Sequence, residues 1–188
     1  MIDFKNLEPE MKLIINMYTT AREFKNAISK KEKIVISKGK VINRIYPYIV
    51  NKSFSCEIYL KLIITANGDS YKNIHNIIDL YEKANIKEEF ERYIIDNVNK
   101  SGIEYTIEKL YSDLETISKA FVEWRYIFEK EDLYVSEGIL IIFNDYLDKY
   151  CLKIIQDKCG INMEEYTNIW GKRGKIWLKK LMMNQWKI

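Results

Sequence analysis

The sequence predicts an all-α fold, an up-and-down bundle of four or five main helices, on three observations. Apolar residues recur at alternating spacings of three and four over long stretches. The chain of 188 residues holds only 7 Gly and 2 Pro, too little turn punctuation for a many-stranded sheet. One run, Pro47 to Gly68, is apolar on nearly every side apart from small residues and a single carboxylate, as a helix enclosed by its neighbours must be.

Each element then follows in order. Residues 9 to 29 carry Met11, Ile14, Ile15, Tyr18, Ala21 and Phe24 at helical spacing, and Pro9 suits a first turn. In residues 30 to 44, IVIS and VIN flank Lys38-Gly39-Lys40, a pattern that reads equally as a small hairpin or as a basic loop leading into a helix. The central helix starts at Val41 or Tyr48 and runs to Ala66, with Asn67-Gly68 as its stop. Its Ser53, Ser55 and Cys56 let neighbouring helices approach closely, whereas Glu57 needs a cationic or hydrogen-bonding partner if buried. After a loop come two amphipathic pieces, HNIIDLYEKA and IKEEFERYIIDNVN, ended by Lys100-Ser101-Gly102.

From Glu104 to Lys130 the seam Leu110, Leu114, Ile117, Phe121, Trp124 and Phe128 demands a helical partner. A last helix, Ser136 to Lys158, aligns Ile139, Leu140, Ile142, Phe143, Tyr146, Leu147, Tyr150 and Ile154, and Gly160 ends it. Long helices joined by short loops give one bundle domain over residues 1–160, with residues 161–188 as a basic, aromatic extension packed on it.

Composition narrows the function classes. No apolar run reaches the roughly 18 residues of a membrane span, and the N-terminal stretch lacks the features of a secretory signal, so a cytoplasmic protein without membrane contact is expected. Cys56, Cys151 and Cys159 form no CxxC pair and only one histidine accompanies them, so neither a metal nor a cofactor is expected, and no phosphate loop or dinucleotide glycine pattern is present. The formal charge of +3 is uneven: Tyr166 to Ile188 holds six basic and no acidic residues, leaving 24 basic against 27 acidic in residues 1–165. In that tail Lys172, Arg173 and Lys175 suit phosphates while Trp177 suits stacking on an unpaired base. The same tail also reads as a final helix packed through Ile176, Trp177, Leu178, Leu181 and Met182.

Arg125 sits beside the seam, with Phe121 four residues before it and Phe128 three after. Glu129 is placed to pair with it along the helix, Glu57 to meet it from across the bundle, and Asn51 to complete the network. A structural pair that fixes helix register is the commoner use of such a group, and catalysis the rarer one.

Three segments, PYIVNKSFSCEIYLKLIITANG, YKNIHNIIDLY and AFVEWRY, resemble the HEPN family of helical domains found in prokaryotic toxins and antiviral ribonucleases, over about Tyr48 to Glu129. The resemblance implies a homodimer whose interface cleft holds an Arg followed, after four to six intervening residues, by a His, a pair that cleaves RNA without metal through the ribose 2′-hydroxyl. Arg125 matches the first member, but the slots for the second hold Lys130, Glu131 and Asp132. Losing a general acid or base forfeits about 10² to 10⁴ in rate, so the usual ribonuclease activity is not expected. The resemblance therefore implies an RNA-associated protein of bacterial or phage conflict systems, in toxin-antitoxin pairs or antiviral defence, with an antitoxin or another protein as a further partner. An active endoribonuclease using Arg125 with Lys130 or Tyr126, and a noncatalytic protein-binding adaptor, are the alternatives. His75 lies where many HEPN domains open a short helix with His-Asp-Leu; here Asn76 follows it, and His75 itself is expected to cap or pack against that helix.

Overall fold

The computed structural model describes residues 7–37, 39–100, 102, 104–123 and 134–160. The extension 161–188 and the segment 124–133, which includes Arg125 and Glu129, lie outside them. Six α-helices and one two-stranded hairpin make up the described residues: α1 (Pro9–Asn26), β1 (Ile34–Ser37), β2 (Lys40–Asn43), α2 (Ile45–Ala66), α3 (Ile77–Lys83), α4 (Lys87–Asn99), α5 (Ile107–Glu123) and α6 (Glu137–Cys159). The predicted all-α bundle is what forms, with α1, α2, α5 and α6 as its long members and α4 as a shorter fifth.

Helix α2 is the hub and packs against α1, α3, α5 and α6. Twelve of its residues are buried, from Tyr48 to Ala66, over well more than half of its circumference, and the remaining face, with Val50, Asn51, Phe54, Ile58, Lys61 and Thr65, is half-buried. The small residues do what close approach requires. Ser55 donates from its hydroxyl to the Ala21 carbonyl of α1 at 2.8 Å, and Asn144 of α6 reaches both the Lys52 carbonyl at 3.0 Å and the Cys56 sulfur at 3.2 Å. At the far end Lys158 of α6 donates to the Ala66 carbonyl, covering an acceptor that the last turn of a helix leaves open.

Local chemistry sets the ends. Pro47 lies in the first turn of α2, where its missing N–H costs nothing. Asn76 caps α3 by accepting from the N–H groups of Ile78 at 2.8 Å and Asp79 at 3.3 Å, so the residue beside His75, not His75, is the cap. Gly160 ends α6 in the left-handed conformation at φ 62°. The segment that reads two ways in sequence is a hairpin, with Ile34 opposite Asn43, Val35 opposite Ile42, Ile36 opposite Val41 and Ser37 opposite Lys40. Gly39, at φ 73°, turns the chain between the strands.

Helix α4 is held by little. Of its residues only Phe90 and Ile94 are buried, and Phe90 joins Tyr81 of α3 and Phe143 of α6 in an aromatic cluster with ring centroids 5.7 and 4.8 Å away. Phe90→Ala is expected to cost roughly 3–5 kcal/mol in urea unfolding and to release α4 first, read as a loss of amide protection confined to Lys87–Asn99. A cost below about 1 kcal/mol would show that α4 is anchored elsewhere.

Candidate functional site

Glu57 is the buried carboxylate of α2, with 2% of its side chain exposed. Its Oε1 accepts from Lys61 Nζ at 2.7 Å, one helical turn on, and lies 3.0 Å from His75 Nδ1. Its Oε2 has no hydrogen-bond partner among the described residues. Lys61 is itself mostly buried, with its ammonium 5.3 Å from the centroid of the Tyr71 ring. The loop that carries His75 is shaped locally by the Ile74 N–H donating to Tyr71 O at 3.0 Å and by Asn73 at φ 65°. Ile77, the first residue of α3, donates its N–H to Ser118 Oγ of α5 at 3.1 Å, which fixes the loop from its other side.

The imidazole is oriented by this arrangement. His75 Nδ1 faces both Glu57 Oε1 at 3.0 Å, which only accepts, and Lys61 Nζ at 3.4 Å, which only donates; the shorter contact is the one that sets the ring's orientation, with Nδ1 as donor to Glu57. His75 is 70% exposed, and its ring has one edge on a buried anion and the other in water.

Among the sequence-predicted residues, Glu57 is buried as its setting requires, and it meets Lys61 and His75. Asn51 is half-buried about 9 Å further toward the start of α2 and takes no part in that cluster among the described residues. Arg125, Glu129, Lys172, Arg173, Lys175 and Trp177 lie outside the described residues. The Glu57–Lys61 spacing of four was a readable signal for the pair. His75, 18 residues from Glu57, comes to it only through the turn that folds α3 back on α2.

A second polar cluster ties α1, α2 and α6 together and leaves no mark in local sequence. Lys25 of α1 bridges Asp145 Oδ1 at 2.6 Å and Asp148 Oδ2 at 2.8 Å, and Tyr59 of α2 donates to Asp148 Oδ1 at 2.9 Å. Burial pushes the Asp148 carboxyl up, but the Lys25 ammonium and the Tyr59 and Tyr18 hydroxyls outweigh it and hold the carboxyl below its ordinary value. Burial, with Asp148 beside them, raises the Tyr59 and Tyr18 hydroxyls, which remain donors. Burial lowers Lys52, aided by the nearby Lys25 charge.

The thiols are inert packing groups. All three are buried and unpaired, burial pushes Cys56 up to about 12, and it raises Cys151 well above its ordinary value. Among the described residues no three His, Cys, Asp or Glu side chains gather as metal ligands, and no helix is long and apolar enough to cross a membrane. Compared with known proteins, the chain matches no family model, no curated protein and no solved structure.

The Lys25–Asp148 pair gives stability a definite pH dependence. Because the folded carboxyl titrates lower than the unfolded one, its stabilisation is complete above the ordinary value of 3.8 and is lost as the pH falls from there through the folded value. Asp148→Asn is expected to lower unfolding stability by roughly 3 kcal/mol at neutral pH and to flatten the acid limb of the stability profile. An unchanged acid limb would place the acid sensitivity elsewhere.

Proposed function

We propose that this chain is an RNA-associated, HEPN-like protein of bacterial or phage conflict systems, acting in the cytoplasm as a homodimer and lacking the usual metal-independent ribonuclease pair. The observation that carries the reading is the absence of His after four to six intervening residues beyond Arg125, at Lys130, Glu131 and Asp132, in a chain whose segments otherwise resemble the family. The enclosure of α2 with Glu57 in its interior supports it, since the resemblance centres on that helix. In this reading Arg125 binds a phosphate or holds the bundle, the tail engages RNA through Lys172, Arg173, Lys175 and Trp177, and an antitoxin or other protein controls access.

Fluorescence anisotropy on single-stranded and structured RNA across a salt series tests it. Replacing Lys172, Arg173 and Lys175 together by Ala is expected to weaken binding and to reduce the slope of log affinity against log salt by about 2. Binding seen only at very low salt, with no change in the triple variant, favours a protein-binding adaptor instead.

One geometric feature favours a second reading, an active endoribonuclease that draws its imidazole from another part of the chain. His75, oriented by Glu57, takes the proton of a ribose 2′-hydroxyl at Nε2; the 2′-oxygen bonds to the adjacent phosphorus, and the bond from phosphorus to the 5′-oxygen breaks. A cyclic 2′,3′-phosphate results, and the leaving 5′-oxygen is protonated by water. Arg125 balances the charge on the phosphate. Under this reading wild type cleaves RNA in chelator, and His75→Ala loses a factor of about 10² to 10⁴. No cleavage by wild type removes it and leaves the first reading standing.

A further inference from the structure

The hairpin is placed unlike anything else in the fold. Ile36 is 76% exposed, Val41 69% and Ile34 54%, the largest exposures of any aliphatic side chains among the described residues, and all four residues of β2 are exposed. A two-stranded sheet gains little by itself, so apolar side chains held out in water on one need a reason. Its root is firmly tied: the Arg44 N–H donates to Lys33 O at 2.6 Å, Lys33 pairs with Glu137 at the start of α6, and Asn43 Oδ1 accepts from the Ile45 N–H at 3.0 Å.

Register then decides which backbone groups are free. The bond from Arg44 to Lys33 makes those two a hydrogen-bonded pair, and such pairs alternate along an antiparallel ladder. Val35 with Ile42 and Ser37 with Lys40 are therefore hydrogen-bonded pairs, whereas Ile34 with Asn43 and Ile36 with Val41 are not. The N–H and C=O groups of Ile34, Ile36, Val41 and Asn43 point away from the partner strand, and the sheet has only these two strands, so both outer edges are open among the described residues. Three of these four residues, Ile34, Ile36 and Val41, also carry the most exposed aliphatic side chains; the fourth is Asn43, and Ile42, 40% exposed, has its backbone groups turned to the partner strand. Protective edge design puts charge at such positions; here the lysines stand at the root and the tip, and the middle is apolar.

Charge selects the occupant. Residues 30–44 contain six basic residues and one acidic, net +5 against +3 for the whole chain. A second copy of the hairpin would meet it with like charge. A nucleic acid would meet the lysines but leave Ile34 and Ile36 uncovered, with no aromatic ring within 30–44 to stack on a base. An extended acidic peptide satisfies all three features at once: its backbone pairs with the open edge, its alternate apolar side chains cover the aliphatic face, and its carboxylates meet the lysines. Of the two edges, β1 presents Ile34 and Ile36 in succession, whereas β2 ends in Asn43, whose side chain is already bound to Ile45.

We infer that the outer edge of β1 is a docking site for an acidic, extended protein segment that adds to the hairpin as a third strand. This stands independently of any activity on RNA.

The test uses the full chain and a dye-labelled peptide of alternating Val and Glu, about eight residues long. Its controls are the matching Val and Lys peptide and a single-stranded RNA. The acidic peptide is expected to bind, more weakly as salt rises, and the basic peptide not to. Ile36→Pro removes an N–H that makes no bond within the hairpin and should weaken binding by roughly tenfold or more, while Val41→Pro on the other edge should leave it within about twofold. Ile36→Glu, which keeps the strand and opposes the peptide's charge, should produce the same loss if the proline variant unfolds the hairpin. The inference is overturned by no binding of the acidic peptide, by equal binding of both peptides, by loss in Val41→Pro equal to that in Ile36→Pro, or by RNA displacing the peptide from the wild-type chain.

Discussion

Everything in this fold depends on enclosing α2. Twelve residues of α2 are buried, most of its surface lying against α1, α3, α5 and α6, so polar side chains among them need partners in place of water, although Ser53 Oγ and Glu57 Oε2 have none among the described residues. Ser55 finds the Ala21 carbonyl, Tyr59 finds Asp148, and Glu57 finds Lys61 and His75. These bonds fix the register of the neighbouring helices against the hub, which apolar packing alone specifies loosely. Small residues at the same positions permit the short approaches that the bonds need.

The two polar clusters around α2 differ in what they can do. Lys25, Asp145, Asp148 and Tyr59 join three helices; cation, carboxylates and hydroxyl satisfy one another, and the result is structural. The Glu57 cluster opens outward. One carboxylate oxygen is occupied, the other has no partner among the described residues, and the imidazole it orients is turned largely to water. A group both held and accessible is suited to binding or proton transfer, which a fully satisfied pair is not.

Charge is also divided by region. The hairpin and the tail concentrate positive charge, while the remainder of the chain is acidic. The bundle thus serves as a rigid support from which a basic hairpin projects on a tied root.

The helices were legible because burial of one face forces apolar residues into a period of 3.6, and α1, α2, α4 and α6 begin and end within a few residues of where spacing, Pro47, Asn67-Gly68 and Gly160 place them. The burial of Glu57 followed from the largely apolar run in which it sits. The sequence could not choose between hairpin and loop for residues 30 to 44, since strands this short carry too little alternation, and their exposure removes the usual contrast between faces. Nor could it pair Glu57 with His75 or Lys25 with Asp148. Those contacts join residues 18 and 123 positions apart, and only the angles at which helices fold back on one another bring them within hydrogen-bonding distance.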